Sequence, residues 1–404
     1  MEKDAQEKYI IQYLKQYRKE LSPAQKNRII REEQASNPLY LRTLLEELRV
    51  FGIFEELEKK IKHYLQARTI DGLFTLVLER LEKDYGRERK GLVKDVTTLI
   101  WASRRGLSET ELFELLGSKE TPTSRALFSP LYLALEESLV SRAGLLTFFH
   151  DFLKKAVESR YLYDPELIQK THLTIADYFD QRVIDERKVD ELPWQLCRAE
   201  RWPRLRNCVT DMEMFLKLRT EAKRYELTGY WLSMGTRYDM VDGFNEMVAR
   251  YEGTSPDLYE LGYRLNETAF FLYINARFNG AEPLYRRALA IREKVLGPDH
   301  PDTATSLNNL AVLLEAKGDY DGAEPFYRRA LAIWEKVLGP DHPDTARGLH
   351  NLAVLLKAKG DYDGAEPLYR RALAISEKVL GPDHPSTRIA KRNLDYLLKA
   401  KKKS

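Results

Sequence analysis

Seven histidines are the first place to look for chemistry in this 404-residue chain, and three of them recur in one motif. His300, His342 and His384 each fall within a Gly-Pro-Asp-His-Pro segment or its close copy. A shared metal would need ring nitrogens about 2 Å from one ion. Equivalent sites one repeat apart are separated by two helix widths, and neighbouring helices pack about 8–10 Å apart. These histidines therefore read as turn or cap residues. The sequence has no His-Glu-x-x-His helix, no Gly-x-Ser-x-Gly elbow and no glycine followed by lysine, so it lacks zincin, hydrolase and phosphate-loop signatures. Its many carboxylates are explained by pairing with Lys or Arg on exposed helix faces. No catalytic residue, metal ligand or cofactor is expected.

What remains is non-covalent recognition. Asn309, Asn351 and Asn393 recur at a step of 42 residues. A side-chain amide offers a donor and an acceptor, which suits the backbone of an extended peptide. Hydrogen bonding between neighbouring helices is the other reading of the row. Asn266 falls near the corresponding place further upstream, one residue out of phase. Residues 301–342 and 343–384 differ at six positions, among them Thr305/Arg347, Asn308/His350 and Glu315/Lys357. With Val312, positions 305, 308 and 315 form a stripe at i, i+3, i+7, i+10. That stripe is a candidate partner-binding face, or a solvated face that has drifted since duplication. Its Arg347, His350, Lys357, Arg392 and Lys399 outweigh Glu315, so the partner expected is an acidic or extended peptide, bound less tightly in salt.

The elements that carry these residues repeat. Gly280-Ala-Glu-Pro-Leu-Tyr-Arg-Arg-Ala-Leu-Ala-Ile291 returns at Gly322 and Gly364. Such self-similarity marks a stacked helical array. Leu307, Leu310, Ala311 and Leu314 form one apolar stripe on a first helix from about Thr303 to Lys317, stopped by Gly318. Asp321 with Glu324 reads as the capping box of a second helix, with Pro325 in its first turn.

The Gly318, Tyr320, Ala323, Tyr327, Ala330 spacing resembles the tetratricopeptide repeat, and the 42-residue length with its connector resembles the kinesin-light-chain type. The resemblance implies a right-handed superhelix whose first helices line a concave groove for a protein or peptide, with Asn309, Asn351 and Asn393 contacting the backbone of the bound segment.

Composition agrees with a soluble, mainly α chain. It is 43% hydrophobic and 31% charged with a net charge of +3, so no global attraction to nucleic acid or membrane follows. The two cysteines, Cys197 and Cys208, make no framework, which points to the reducing cytoplasm. There is no signal-peptide core and no apolar run of about 18 residues.

Four segments are expected. Residues 1–86 read as a helical bundle, with Ser22-Pro23 and Asn37-Pro38 opening helices. Residues 87–163 read as three helices, a hairpin at Leu139–Phe149 turning near Gly144, and a helix: a winged-helix order. Residues 164–255 are irregularly helical, with Pro193 marking a helix start and Trp194 and Trp202 as packing anchors. Residues 256–404 hold the repeats and a capping half-unit, Pro385–Ala400, whose Arg388, Lys391 and Asp395 replace small or apolar residues, as terminal repeats require. Its Lys401–Ser404 tail reads as a solvated cap. A DNA reader needs Arg, Lys, Asn or Gln on its helix. The third helix of 87–163 carries Leu127, Leu131, Leu133, Leu135, Glu136 and Glu137 with Arg125 as its one basic residue, which argues against a winged-helix DNA-binding regulator.

Asn37-Pro-Leu-Tyr-Leu41, Trp101-Ala-Ser-Arg-Arg-Gly-Leu107 and Phe148-Phe-His-Asp151 resemble the helical and winged-helix modules of NACHT and NB-ARC signal-transducing (STAND) NTPases, near the nephrocystin-3 type. There these modules follow a P-loop ATPase domain and clamp nucleotide, roles that would fall on Pro38 and His150. With no P-loop in this sequence, vestigial sites are expected, His150 being a buried, hydrogen-bonded histidine. The expectation is a non-catalytic interaction scaffold, the sensor or regulatory part of a signalling protein. The alternative is the regulatory part of a nucleotide-dependent ATPase whose P-loop domain lies elsewhere, in cis or in trans.

Overall fold

The computed structural model describes residues 1–52, 56–87, 89–117 and 125–401. The chain divides into two units, 1–208 and 209–404, and the division falls inside the irregular 164–255 segment.

The first unit opens with α1 (Lys3–Lys15), α2 (Pro23–Arg31), α3 (Pro38–Val50), α4 (Leu57–Tyr64) and α5 (Ile70–Tyr85). Ser22 and Gln25 form a reciprocal capping box. The Asn37 side chain accepts from the amides of Leu39 and Tyr40, with Pro38 at the first helical position. Ile10, Leu14, Ile29, Leu41, Leu44, Leu45, Ile61 and Leu73 share one core. Tyr40 is fully buried, and its hydroxyl donates to the carbonyls of Tyr64 at 3.1 Å and Ala67 at 2.7 Å. A buried phenol needs such a partner.

Next come α6 (Leu92–Ala102), α7 (Glu109–Leu116), α8 (Arg125–Leu135), β1 (Leu139–Arg142), β2 (Leu145–Phe148) and α9 (Asp151–Tyr161). The strands pair antiparallel, Leu139 opposite Phe148. They turn through Ala143 and Gly144, both at positive φ, as a tight two-residue hairpin demands. The expected start of the third helix at Thr123 lies outside the described residues. Phe128, Leu131 and Leu135 of α8 are buried, so its apolar face turns inward.

The Trp101–Leu107 motif has a structural explanation. Leu107 exchanges backbone hydrogen bonds with Leu146 at 3.2 and 2.8 Å. Gly106 sits at φ +99°, where a Cβ would lie 2.6 Å from the Leu146 carbonyl oxygen. After α10 (Pro165–Asp180), α11 (Glu186–Arg198) returns to this loop. Its fully buried Glu191 accepts from the amides of Arg104 and Arg105 at 3.2 and 3.3 Å, and from Gln195 Nε2 at 2.9 Å. Gln195 Nε2 also donates to the Ala102 carbonyl. Its Oε1 is left to accept from Nδ1 of buried His172 at 2.7 Å. Pro193 lies inside α11 rather than at its start. Asp185, accepting from the Lys188 amide at 2.8 Å, is the cap. Trp194 meets His172 edge-on at 5.3 Å. Trp202 opens α12 (Trp202–Val209) and is half-buried.

The second unit holds α13 (Met212–Leu218), α14 (Arg224–Met234) and α15 (Met240–Glu252), then α16 (Leu258–Ile274), α17 (Phe278–Leu296), α18 (Pro301–Ala316), α19 (Tyr320–Val337), α20 (Pro343–Ala358), α21 (Tyr362–Leu380) and α22 (Pro385–Lys401). Pairs α16–α17, α18–α19 and α20–α21 pack as hairpins, and each second helix packs on the next first helix. Ala281, Ala323 and Ala365 are fully buried, and Tyr285, Tyr327 and Tyr369 are nearly so. Small residues let the helices close and the phenol fills the space beside them. His300, His342 and His384 cap the first helices: each Nδ1 accepts an amide proton from two residues on, at 3.1 to 3.2 Å. Gly318 ends α18 at φ +82°. The cap of α19 is Asp319, accepting from the Gly322 amide at 2.9 Å, not Asp321, which is turned out to Lys359. The helix therefore begins earlier than expected, and Pro325 lies inside it. No helix among the described residues is long and apolar enough to cross a membrane.

The joints between repeats are matched in volume. In successive copies the second helix offers Arg292, Trp334 and Ser376, and the following helix answers with Ser306, Gly348 and Ala390. Arg292 donates to Ser306 Oγ at 2.9 Å and to the Asp302 carbonyl at 3.0 Å. Trp334 is fully buried, and a Cβ on Gly348 would come 2.9 Å from its ring. In α22 the inward positions Ala390, Leu394 and Leu397 stay buried, while Arg388, Lys391 and Asp395 are exposed. Substituting Gly348→Ala should lower stability by about 1–3 kcal/mol through overpacking, read as a reduced urea midpoint. The change Ala390→Gly meets no such indole.

Candidate partner-binding groove

Adjacent first helices touch each other, α16 with α18 and α18 with α20, and their facing edges carry the asparagine row. Asn309 Nδ2 donates to Asn266 Oδ1 at 3.1 Å, Asn351 Nδ2 to Asn308 Oδ1 at 2.9 Å, and Asn393 Nδ2 to His350 Nε2 at 3.2 Å. Asn266 passes the chain on by donating to Glu267 at 3.2 Å. One proton of each row asparagine is thus spent between repeats, each link worth about 1 kcal/mol net. Asn266 is the correct partner of this ladder, because it precedes Asn308 by one full 42-residue repeat. Comparing it with Asn309 made it look displaced.

The other stripe residues separate by environment. Asn308 is only 4% exposed, so it belongs to the joint rather than to an open face. Thr305 and Val312 are half-buried, and the Thr305 hydroxyl donates to the Pro301 carbonyl at 3.2 Å. Glu315 accepts from the Tyr327 hydroxyl at 2.7 Å. Burial pushes its carboxyl above the ordinary range, offset by that hydrogen bond. Tyr273, Tyr327 and Tyr369, absent from the expectation, all feel the Glu315 charge. Arg347 is exposed, pairs with Asp344 at 3.0 Å and lies 5.1 Å from the Trp334 ring centre. Lys357 is half-buried, and Arg392 and Lys399 are exposed.

Pro38 and His150 are not brought together. Pro38 is exposed at the start of α3. His150 lines a cavity of about 720 Å³ with Arg42, Arg49, Arg80, Glu46 and Glu47, and Pro38 is not on its wall. The expectation of a buried, hydrogen-bonded ring fails. His150 is half-buried and meets Phe149 edge-on at 4.3 Å. Desolvation together with the Arg42 charge lowers its pKa. The residue stands at the N-terminal boundary of α9 and makes no side-chain cap there.

Burial holds the His350 pKa below its ordinary 6.5, consistent with a neutral ring whose Nε2 accepts from Asn393. The unfolded chain takes up a proton that the folded chain resists, so stability present above about pH 6.5 is lost as pH falls below it. His172, held down to about 4 by burial, acts in the same direction. His350→Asn, which copies Asn308, should therefore shrink the fall in Tm between about pH 7.5 and about pH 5 relative to the parent chain. An equal fall in both would show that His350 does not carry the effect.

Residues 9–161 match the nephrocystin 3 helical domain, and residues 265–333, 309–378 and 348–398 match the tetratricopeptide repeat. The chain is 32% identical over 293 residues to a tetratricopeptide repeat-containing protein of Dictyostelium discoideum, covering 68% of this chain and 17% of that one. It is 48% identical over 288 residues to nephrocystin-3 of Xenopus laevis, covering 67% and 22%. With nephrocystin-3 of Homo sapiens it shares 27% over 287 residues, covering 67% and 21%. The chain thus spans about a fifth of the length of these relatives. Among solved structures, kinesin-light-chain TPR-like repeats from Podospora anserina align with TM-score 0.39 at 24% identity, covering 50% of this chain and 88% of that one. A STAND protein with a tetratricopeptide repeat sensor from Pyrococcus horikoshii aligns with TM-score 0.39 at 14% identity, covering 98% and 57%. The chain is thus similar to nephrocystin-3, with a nephrocystin 3 helical-domain match in residues 9–161 followed by tetratricopeptide repeats in residues 265–398.

Proposed function

We propose that this chain is a non-catalytic scaffold of a STAND-type signalling protein, and that its repeat groove holds an extended, acidic polypeptide segment. One observation carries the reading. Lys357, Arg392 and Lys399 stand on successive first helices, and none has an ion-pair partner among the described residues, whereas Lys317, Lys359 and Lys401, at the C-terminal ends of the first helices, are all paired with carboxylates. The ladder leaves the Oδ1 atoms of Asn309 and Asn351 and one proton on each amide for a guest backbone. The basic end of the groove lies toward α22, and Glu315 lies toward the other end, so the acidic part of the guest belongs near α20 and α22. The inward-facing α8 supports protein rather than DNA as the partner.

The four-segment division, the winged-helix reading of 87–163 and a cytoplasmic setting belong to the same proposal. A second reading, the regulatory part of an ATPase whose P-loop domain lies in cis or in trans, draws support from His150 on the wall of the large cavity. Against it, the arginines there are engaged: Arg42 with Glu137, Arg49 with Glu46 and Arg80 with Glu47.

The test is a fluorescence-anisotropy titration of the full chain against a panel of labelled peptides graded from acidic to basic. Acidic members should bind best, and the pair Lys357→Glu and Arg392→Glu should weaken them at least about tenfold, or about 1.4 kcal/mol. Raising salt from about 0.05 to about 0.5 M should weaken them too. Equal affinity for acidic and basic peptides would remove the charge argument, and indifference to the double substitution would remove the groove.

A further inference from the structure

The third joint differs from the two before it in a way that leaves room. At the second joint the Trp334 indole is fully buried against Gly348. At the first, the Arg292 side chain occupies the equivalent place and is hydrogen-bonded there. At the third, the same position is Ser376 and its neighbour is Ala390, so two small residues meet where an indole or a guanidinium stood. The consequence is a cleft of about 360 Å³ between α20, α21 and α22, walled by Ala346, Ala372, Ile375 and Ala390. A dry apolar cavity of about 150 Å³ already admits benzene, and small-molecule sites run from about 300 Å³ upward, apolar with a few placed polar groups.

The polar groups are present. Ser376 is 8% exposed, lines the cleft, and its hydroxyl has no hydrogen-bond partner among the described residues. Arg347 and His350 stand on the wall. Val379, Leu380 and Ile389, each at least 40% exposed, gather at the rim.

We propose that this cleft binds a small, free heteroaromatic molecule of indole size, its ring occupying the space that Trp334 fills one repeat earlier but turned end for end, so that its N–H donates to Ser376 Oγ. The walls come from three consecutive helices, and the space is left where serine replaces one large side chain, which suits a single ring system. The proposal is independent of the peptide groove, with which it shares only Arg347 and His350.

The probe is indole, titrated into the full chain and followed by saturation-transfer NMR and by thermal shift. Saturable binding and a Tm that rises with ligand are expected. Ser376→Trp combined with Ala390→Gly, which copies the second joint, should abolish binding and raise the Tm of the unliganded chain. Ala390→Leu narrows the cleft from α22 alone and should weaken binding at least tenfold, which keeps the test decisive if the double variant fails to fold by circular dichroism. Benzothiophene, without an N–H, should bind more weakly than indole to the parent chain and equally weakly to Ser376→Ala. Indole binding that survives the filled joint, or that never saturates, would overturn the site. A tryptophan-bearing peptide that outcompetes indole, and loses binding in the same variants, would overturn the free-ligand assignment.

Discussion

Each hairpin of the array has apolar faces that it can cover only with its neighbours, so the joints between hairpins carry the fold. Closure at a joint is a question of volume. Alanines at 281, 323 and 365 let two helices approach, tyrosines at 285, 327 and 369 fill the gap so made, and one variable side chain completes the seal. Arg292 with Ser306 and Trp334 with Gly348 are two solutions of different chemistry to one packing problem. Interiors of native density tolerate such exchange when both partners change together.

The same joints decide what the first helices can show. Because Asn309, Asn351 and Asn393 spend a proton across each joint, the row cannot be a free set of amides. Asn308, at 4% exposure, is structural where sequence alone placed it among binding residues. What is left on the open face is charge and the remaining amide valence. The first unit obeys a related economy. Its most deeply buried carboxylate, Glu191, gains backbone amides, Gln195 and the nearby Arg187 as partners. Burying an ion without such partners is costly.

Much of this was legible in the residues. A 42-residue period fixes hairpin count and length, Gly and Pro punctuate the ends, and the helix expected from about Thr303 to Lys317 runs from Pro301 to Ala316. Caps were less secure. Asp319 and Asp321 are chemically alike, and only the backbone shows which one meets the Gly322 amide. Pro193 misled because proline favours a first turn, yet Asp185 was the better cap. The candidate face was only partly legible. Three of the six differences between the near-identical copies form a stripe that invites a binding story, whereas two others, 306/348 and 334/376, are a coupled pair. Their coupling crosses between repeats, so no single-helix pattern reveals it, although a large residue set against glycine was a visible hint. Environment was not legible at all: Asn308 and Arg392 occupy the same repeat position, one enclosed and one open.

The ladder has a direction as well as a chemistry. Asn309, Asn351 and Asn393 each give one amide proton to the preceding repeat, so each of their helices is fastened to the first helix before it. The C-terminal ends of the same helices carry their own ion pairs, Lys317 to Glu282, Lys359 to Glu324 and Lys401 to Glu366, which solvent makes soft. Salt would loosen these ion pairs and leave the neutral asparagine contacts in place, so the two kinds of fastening between hairpins respond differently to solvent. The side chain that closes successive joints runs from guanidinium to indole to a bare hydroxyl, so the joints are not interchangeable, and the least filler stands where α22 docks.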